Sequence, residues 1–108
     1  MIYELRVYTA MPGKMPALQA RFRDHTTKLF EKHGIKNVGY WTNMIGGKSD
    51  QLIYMLAYED LGARQKSWAA FGADPEWQAA RNKSEEDGPL VHHVENSILN
   101  PTNFSPLG

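Results

Sequence analysis

A histidine, an arginine and a set of large aromatics are the groups in this chain that could do chemistry. His25 recurs with Leu18, Phe22 and Leu29 at helical spacing, which puts it on an apolar stripe expected to face a sheet. A neutral imidazole there can remove a proton as a general base, hold an axial metal position, or simply donate one hydrogen bond inside a core. Arg6 shares one face of an alternating segment with Glu4 and Tyr8, and Glu95 on a later strand could reach them if the register allows. Opposite charges on a covered face form a buried or dimer-bridging network, or leave Arg6 to hold a substrate carboxylate or enolate. Trp41, Tyr54, Trp68, Phe71 and Trp77 come from the sheet and both later helices. They are ordinary core, or they line an apolar pocket between helices and sheet. The candidate site is therefore His25 as the catalytic group, with Tyr3, Arg6, Trp41, Tyr54, Trp68 and Trp77 as substrate-binding residues.

Several other chemistries drop out. His92 and His93 are neighbours on a strand, so they point to opposite faces and cannot chelate one ion together. No metal site is expected. The chain has no cysteine, which removes disulfides, thiolate nucleophiles and zinc-thiolate centres. No serine carries the flanking glycines or partner base of a hydrolase triad. Gly46-Gly47-Lys48-Ser49 lacks the first glycine of a phosphate loop and joins two strands instead of opening a helix. Lys+Arg and Asp+Glu balance at 12 each, so no global field gathers nucleic acid or an anionic membrane. No stretch approaches the ~20 apolar residues of a membrane span, and the chain opens straight into a strand, so neither an anchor nor a secretory leader is expected. These features predict a soluble, cytoplasmic protein.

The elements that position these groups follow from periodicity. Ile2 to Thr9 alternates as a strand, with Tyr3, Leu5 and Val7 on one face and Glu4, Arg6 and Tyr8 on the other. A helix is predicted from about Pro16 to His33, with Arg21, Asp24, Lys28 and Lys32 off the apolar stripe and Gly34 as its left-handed end. Val38 to Ile45 and Gln51 to Glu59 read as a hairpin around Gly46-Gly47. Asp60 caps a helix whose Leu61, Trp68 and Phe71 share a face, and Asp74-Pro75-Glu76 starts a shorter one with Trp77 and Ala80 inward. Ser84 to Pro89 is a solvated loop, His92 to Leu99 a fourth strand, and 100–108 an extended tail beyond a core of 1–99.

At 108 residues this is one domain. The order strand-helix-strand, strand-helix-strand predicts an α+β, ferredoxin-like fold: four antiparallel strands with helices on one face. The third strand is apolar on both sides, with Leu52, Tyr54, Leu56 and Tyr58 on one and Ile53, Met55 and Ala57 on the other. A strand of that kind is covered on both sides, and a second copy is the cover available. The chain is thus expected to form a homodimer through the sheet face, as a dimeric α/β barrel.

Tyr3-Glu4-Leu5-Arg6-Val7-Tyr8, Pro12-Gly13-Lys14, Gly39-Tyr40-Trp41, Ile45-Gly46-Gly47, Ala73-Asp74-Pro75-Glu76-Trp77 and the stretch from Glu95-Asn96 to Pro106 occur in order over nearly the whole chain. In these motifs it resembles the NIPSNAP family. The resemblance implies the dimeric α/β barrel more firmly than any one activity. Similar barrels include cofactor-free monooxygenases, haem-degrading monooxygenases and chlorite-dismutase-like haem proteins. By that analogy the chain is expected to bind a small aromatic or apolar molecule between helices and sheet, as a cofactor-free monooxygenase-like enzyme. The alternative is a non-catalytic homodimeric binding module working through its dimer surface or its proline-rich tail. A haem protein with His25 as ligand ranks third, and no cofactor is expected in the leading reading.

Overall fold

A computed structural model describes residues 1–107; Gly108, the end of the tail expected over 100–108, lies outside them. Four strands, β1 (Ile2–Ala10), β2 (Lys36–Thr42), β3 (Gln51–Tyr58) and β4 (Val91–Leu99), form one antiparallel sheet in the order β2-β3-β1-β4. Helices separate β1 from β2 and β3 from β4, which is the α+β, ferredoxin-like arrangement read from the sequence. The other strands keep their expected bounds to within one residue, and β2 differs most, starting at Lys36 in place of Val38. β2 ends at Thr42 and not at Ile45, because the Asn43 side chain donates to the Lys48 carbonyl at 2.8 Å and to Gln51 Oε1 at 2.9 Å. That closes the loop early and leaves Met44 and Ile45 94% and 92% exposed at its tip.

Register fixes what each face carries. Glu4 stands opposite Leu56 and Ile98, Arg6 opposite Tyr54 and Asn96, and Tyr8 opposite Leu52 and Val94. Directly opposed residues share a face, so Glu4, Arg6 and Tyr8 lie with the buried Leu52, Tyr54, Leu56 and Tyr58 under the helices. The other face carries Leu5, Val7, Ile53 and Met55, half-buried in the single chain, with Trp41 at its side and 50% exposed. Trp41 lies flat across Gly39. A Cβ at Gly39 would stand 2.6 Å from the indole ring, so glycine is what lets the tryptophan rest on the sheet.

The first helical rod contains the main departure from the expected pattern. It runs as α1 (Met15–Arg21), a π-helical turn (Phe22–Thr26) and α2 (Thr27–Lys32), with the Thr27 N–H bonded to the Phe22 carbonyl. The π turn holds one residue more than an α turn, so every side chain after it is rotated from its regular position. Leu18, Phe22, Thr26, Leu29 and Phe30 therefore face the core. His25, expected on the inward stripe, is turned outward and exposed, while Arg21, expected outside, is buried. The Thr26 hydroxyl donates to the Arg21 carbonyl at 3.3 Å, satisfying an acceptor in the widened turn.

The helix ends obey their local chemistry. Gly34, at φ 79°, ends the rod, with its N–H on the Glu31 carbonyl and that of Ile35 on the Phe30 carbonyl, while Ile35 folds into the core. Asp60 caps α3 (Leu61–Ala73) by accepting from the Ala63 N–H at 2.7 Å. Asp74 caps α4 (Pro75–Ser84) through the Glu76 N–H and also accepts from Lys32 Nζ at 2.8 Å, tying the end of α2 to the start of α4. Leu61 is exposed in place of facing inward, since Arg64, Trp68 and Phe71 carry the inner side of α3. Residues 100–107 turn back across one end of the helix-free sheet face, where the Tyr3 hydroxyl donates to the Leu107 carbonyl.

Candidate functional site

Glu4 is the centre of the polar chemistry beneath the helices. Its carboxylate is fully buried and takes five hydrogen bonds. Arg64 reaches down from α3 with Nε 2.9 Å from Oε1 and Nη2 3.0 Å from Oε2, a bidentate pair. Arg6 Nη1 at 2.8 Å, Asn96 Nδ2 at 2.9 Å and the Tyr58 hydroxyl at 2.7 Å complete the shell. Burial by itself raises the Glu4 pKa; the bonds from Arg64, Asn96 and Tyr58 and the charge of Arg6 outweigh it and hold the carboxyl at about 2. Trp68 Nε1 donates to the Tyr58 oxygen at 2.7 Å, so a tryptophan on α3 is oriented by the same cluster.

Arg6 links that cluster to an aromatic layer. Its Nε donates to the Tyr54 hydroxyl at 2.8 Å and its Nη2 to Tyr8 at 3.2 Å, while its Cζ sits 4.7 Å from the centre of the Trp68 ring. Beside this layer, between helices and sheet, lies a cavity of about 200 Å³. Tyr8, Phe22, Phe30, Trp68, Phe71 and Trp77 supply its rings; Arg21, Thr26 and Gly72 supply the rest of its wall. The rings brace one another: Phe71 stands 4.8 Å from Phe30 and 4.7 Å from Trp77, and Tyr8 is edge-on to Phe22 at 5.6 Å. The π turn contributes Phe22 and Thr26, placing the widened part of the rod directly on this cavity.

The residues expected to form a site are divided by this geometry. Trp68 and Trp77 line the cavity, and Arg6 stands behind Tyr8 and Trp68. Tyr54 is under the same face but wholly enclosed in the core, stacked on Tyr40 at 5.0 Å. Tyr3 and Trp41 are on the opposite face of the sheet, because strand alternation puts them out of phase with Arg6 and Tyr54. His25 stands outside, in an open groove between α1 and α4 with Ala17, Asp24, Glu76 and Lys83. Glu95 also points away: it pairs with Val7, is 74% exposed along its side chain and contacts His93 at 3.2 Å. Its neighbour Asn96 is the residue that reaches Glu4.

Arg64, Asn96 and Tyr58 around Glu4, and Arg21 at the cavity, are participants that sequence reasoning missed. Arg64 was within reach of it, since positions 61, 64, 68 and 71 follow one helical stripe, and a cation on such a stripe needs a buried partner. Arg21 was also within reach: it precedes the π turn, three residues after Leu18 and one before Phe22, on the stripe that those two buried residues define. Among the described residues no group of His, Cys, Asp and Glu is arranged to hold a metal ion. No helix of the described residues is long and apolar enough to cross a membrane.

The NIPSNAP family model matches residues 3–106, all four strands and both helical segments included. The chain belongs to the NIPSNAP family. A NIPSNAP family protein from Agrobacterium tumefaciens superposes with a TM-score of 0.86 at 31% identity, covering all of this chain (100%) and 94% of the other. An uncharacterised NIPSNAP domain protein from Burkholderia xenovorans gives 0.85 at 27% identity, over 98% and 99% of the two chains. Mouse protein NipSnap homolog 3B is 29% identical over 76 residues, which is 70% of this chain but only 30% of the relative. The NIPSNAP region seen here thus accounts for under a third of that longer protein. A candidate antibiotic biosynthesis monooxygenase from Nitrosomonas europaea shares the fold, with a TM-score of 0.63 and 12% identity over 94% of this chain and 98% of the other.

Proposed function

We propose that this NIPSNAP protein binds a small planar aromatic molecule in the cavity between its helix layer and its sheet. The observation that carries the reading is the cavity itself: about 200 Å³ walled by six aromatic side chains, with Arg21 at its edge and Arg6 behind Trp68. Ligand sites are typically apolar walls with a few placed polar groups, and drug-sized ones run to ~300–1,000 Å³. The smaller volume here suits one ring or a compact fused pair. A haem macrocycle is far larger, so the haem reading gains no support. A monooxygenase-like reaction needs a proton acceptor beside the ligand, and the first choice, His25, stands in the outer groove. Binding is accordingly the part of the expectation that the geometry supports.

Gly72 offers a direct test. It forms part of the cavity wall, and a Cβ added there meets nothing within 4 Å. Glycine inside a helix costs about 0.8–1 kcal/mol relative to alanine. Gly72→Leu is therefore expected to stabilise the chain by roughly 0.5–1 kcal/mol in urea denaturation. A leucine at this wall position is also expected to obstruct the cavity, so calorimetric affinity for benzoate should fall at least ~10-fold, about 1.4 kcal/mol. An unchanged affinity would put the binding site elsewhere.

We also propose that a second copy covers the open sheet face. Leu5, Val7, Ile53, Met55 and Trp41 make that face apolar, and the chain's own tail covers only the end around Tyr3, Met55 and Leu99. Native mass spectrometry should give twice the chain mass; a monomer at micromolar concentration would contradict this assembly.

A further inference from the structure

We infer that the molecule held in the cavity is an anion, an aromatic carboxylate, and that Arg21 recognises its charged group. This rests on the cavity reading above and specifies its ligand. Arg21 closes α1 just before the π turn, forms part of the cavity wall and is only 7% exposed. Its Nη1 is engaged, with Ser84 Oγ at 3.2 Å and Glu85 Oε2 at 3.8 Å. Its Nε–H is buried and has no acceptor among the described residues. A buried cationic donor left unpaired is costly, and native proteins rarely tolerate one without a ligand or a water to satisfy it.

The surroundings make an anion the fitting partner. One carboxylate, Glu4, serves two guanidiniums, Arg6 and Arg64, so the polar cluster beside the aromatic layer is itself not short of positive charge. Burial lowers the Arg21 pKa, with the Glu85 charge compensating only in part. The Tyr8 hydroxyl, also in the cavity wall, accepts from Arg6. The Thr26 hydroxyl is already spent on the Arg21 carbonyl. A carboxylate offers only acceptors, matches the planar edge of a guanidinium and forms the stronger, charge-assisted bond. Trp77 lies under the Arg21 guanidinium at 5.4 Å and also walls the cavity, so a ring attached to that carboxylate would rest among Trp77, Phe71 and Trp68.

The test is calorimetric titration of the full chain with benzoate and with benzamide, which share a ring and differ in charge. Benzoate should bind at least ~10-fold tighter, the worth of one charge-assisted contact. Arg21→Met should abolish that preference, leaving the two probes with equal affinity, with a melting temperature no lower than that of the parent, because the unpaired donor is gone. Equal affinity for the two probes in the parent protein would overturn the anion assignment and leave the cavity reading standing. Binding of neither probe would overturn both, and a benzoate preference surviving in Arg21→Met would overturn the role of Arg21. Should Arg21→Met not fold, Arg21→Lys decides. It keeps the charge but loses the planar fork, so the preference for benzoate over benzamide should narrow at least ~3-fold, and an unchanged preference would overturn the proposal.

Discussion

Glu4→Gln is expected to cost roughly 3–5 kcal/mol of folding stability, the usual consequence of removing one partner from a buried ion pair. The substitution keeps the shape and removes the charge on which Arg6 and Arg64 depend. It also turns an acceptor into a donor. Glu4 Oε2 takes bonds from Arg6, Arg64 and Asn96, and Oε1 from Tyr58 and Arg64, so an amide NH₂ at either position faces donors. For a domain of this size about 4–8 °C is lost per kcal/mol, so the melting temperature should drop by more than ~10 °C. Adding Arg64→Met should return part of the loss, because one of the two stranded cations is then gone. The same carboxylate sets an acid profile. Its folded pKa, about 2, lies below the ordinary 4.5, so its contribution is fully present above pH 4.5 and disappears as the pH falls toward 2. At about 1.4 kcal/mol per pH unit the contribution is on the order of 3 kcal/mol. Urea midpoints of the parent should fall across that window, and those of Glu4→Gln should be flatter there.

Phe30→Ala is expected to cost about 3–5 kcal/mol and at the same time to change what the protein binds. Phe30 is buried in contact with Trp68 at 5.4 Å and Phe71 at 4.8 Å, with Phe22 and Tyr54 further out at 6.4 Å, and it is also cavity wall. Its neighbours come from α3, the π turn and β3, elements held by their own hydrogen bonds, so the space cannot simply collapse. The variant should therefore carry an enlarged cavity. Binding to the folded state alone raises stability in proportion to ligand saturation, so a two-ring acid such as 2-naphthoate should raise the melting temperature of Phe30→Ala more than that of the parent. A destabilisation near zero would mean that Phe30 is not the packed core of the helix layer. A naphthoate shift equal to the parent's would separate the cavity from the binding site.

The fold was legible in the sequence where a period left no choice. Alternation along Ile2 to Thr9 put Glu4, Arg6 and Tyr8 together, and they are together beneath the helices. Asp60, Asp74, Pro75 and Gly34 marked helix ends through chemistry confined to a few neighbouring residues. The face of the sheet toward the helices was less legible. Both faces of β3 are apolar, so Tyr3 and Trp41 looked as suitable for lining a pocket as Tyr54 did. The position of His25 was hidden for a different reason: a regular α-helix brings residues 18, 22, 25 and 29 into line, and the extra residue of the π turn brings Thr26 and Phe30 there instead. The inserted residue takes His25 off the stripe, while Arg21, which precedes it, reaches the edge of the candidate site by ordinary helical spacing from Leu18.

Binding in this cavity requires that an aromatic molecule enter between helices and sheet. The direct measurement is an NMR titration of the nitrogen-15-labelled chain with benzoate, following the indole N–H signals of its 3 tryptophans. Trp68 and Trp77 line the cavity and Trp41 lies on the far side of the sheet, so the chain carries its own internal control. The predicted result is a saturable shift of the Trp68 and Trp77 signals with Trp41 unmoved. No shift at millimolar benzoate, or a shift confined to Trp41, would contradict it.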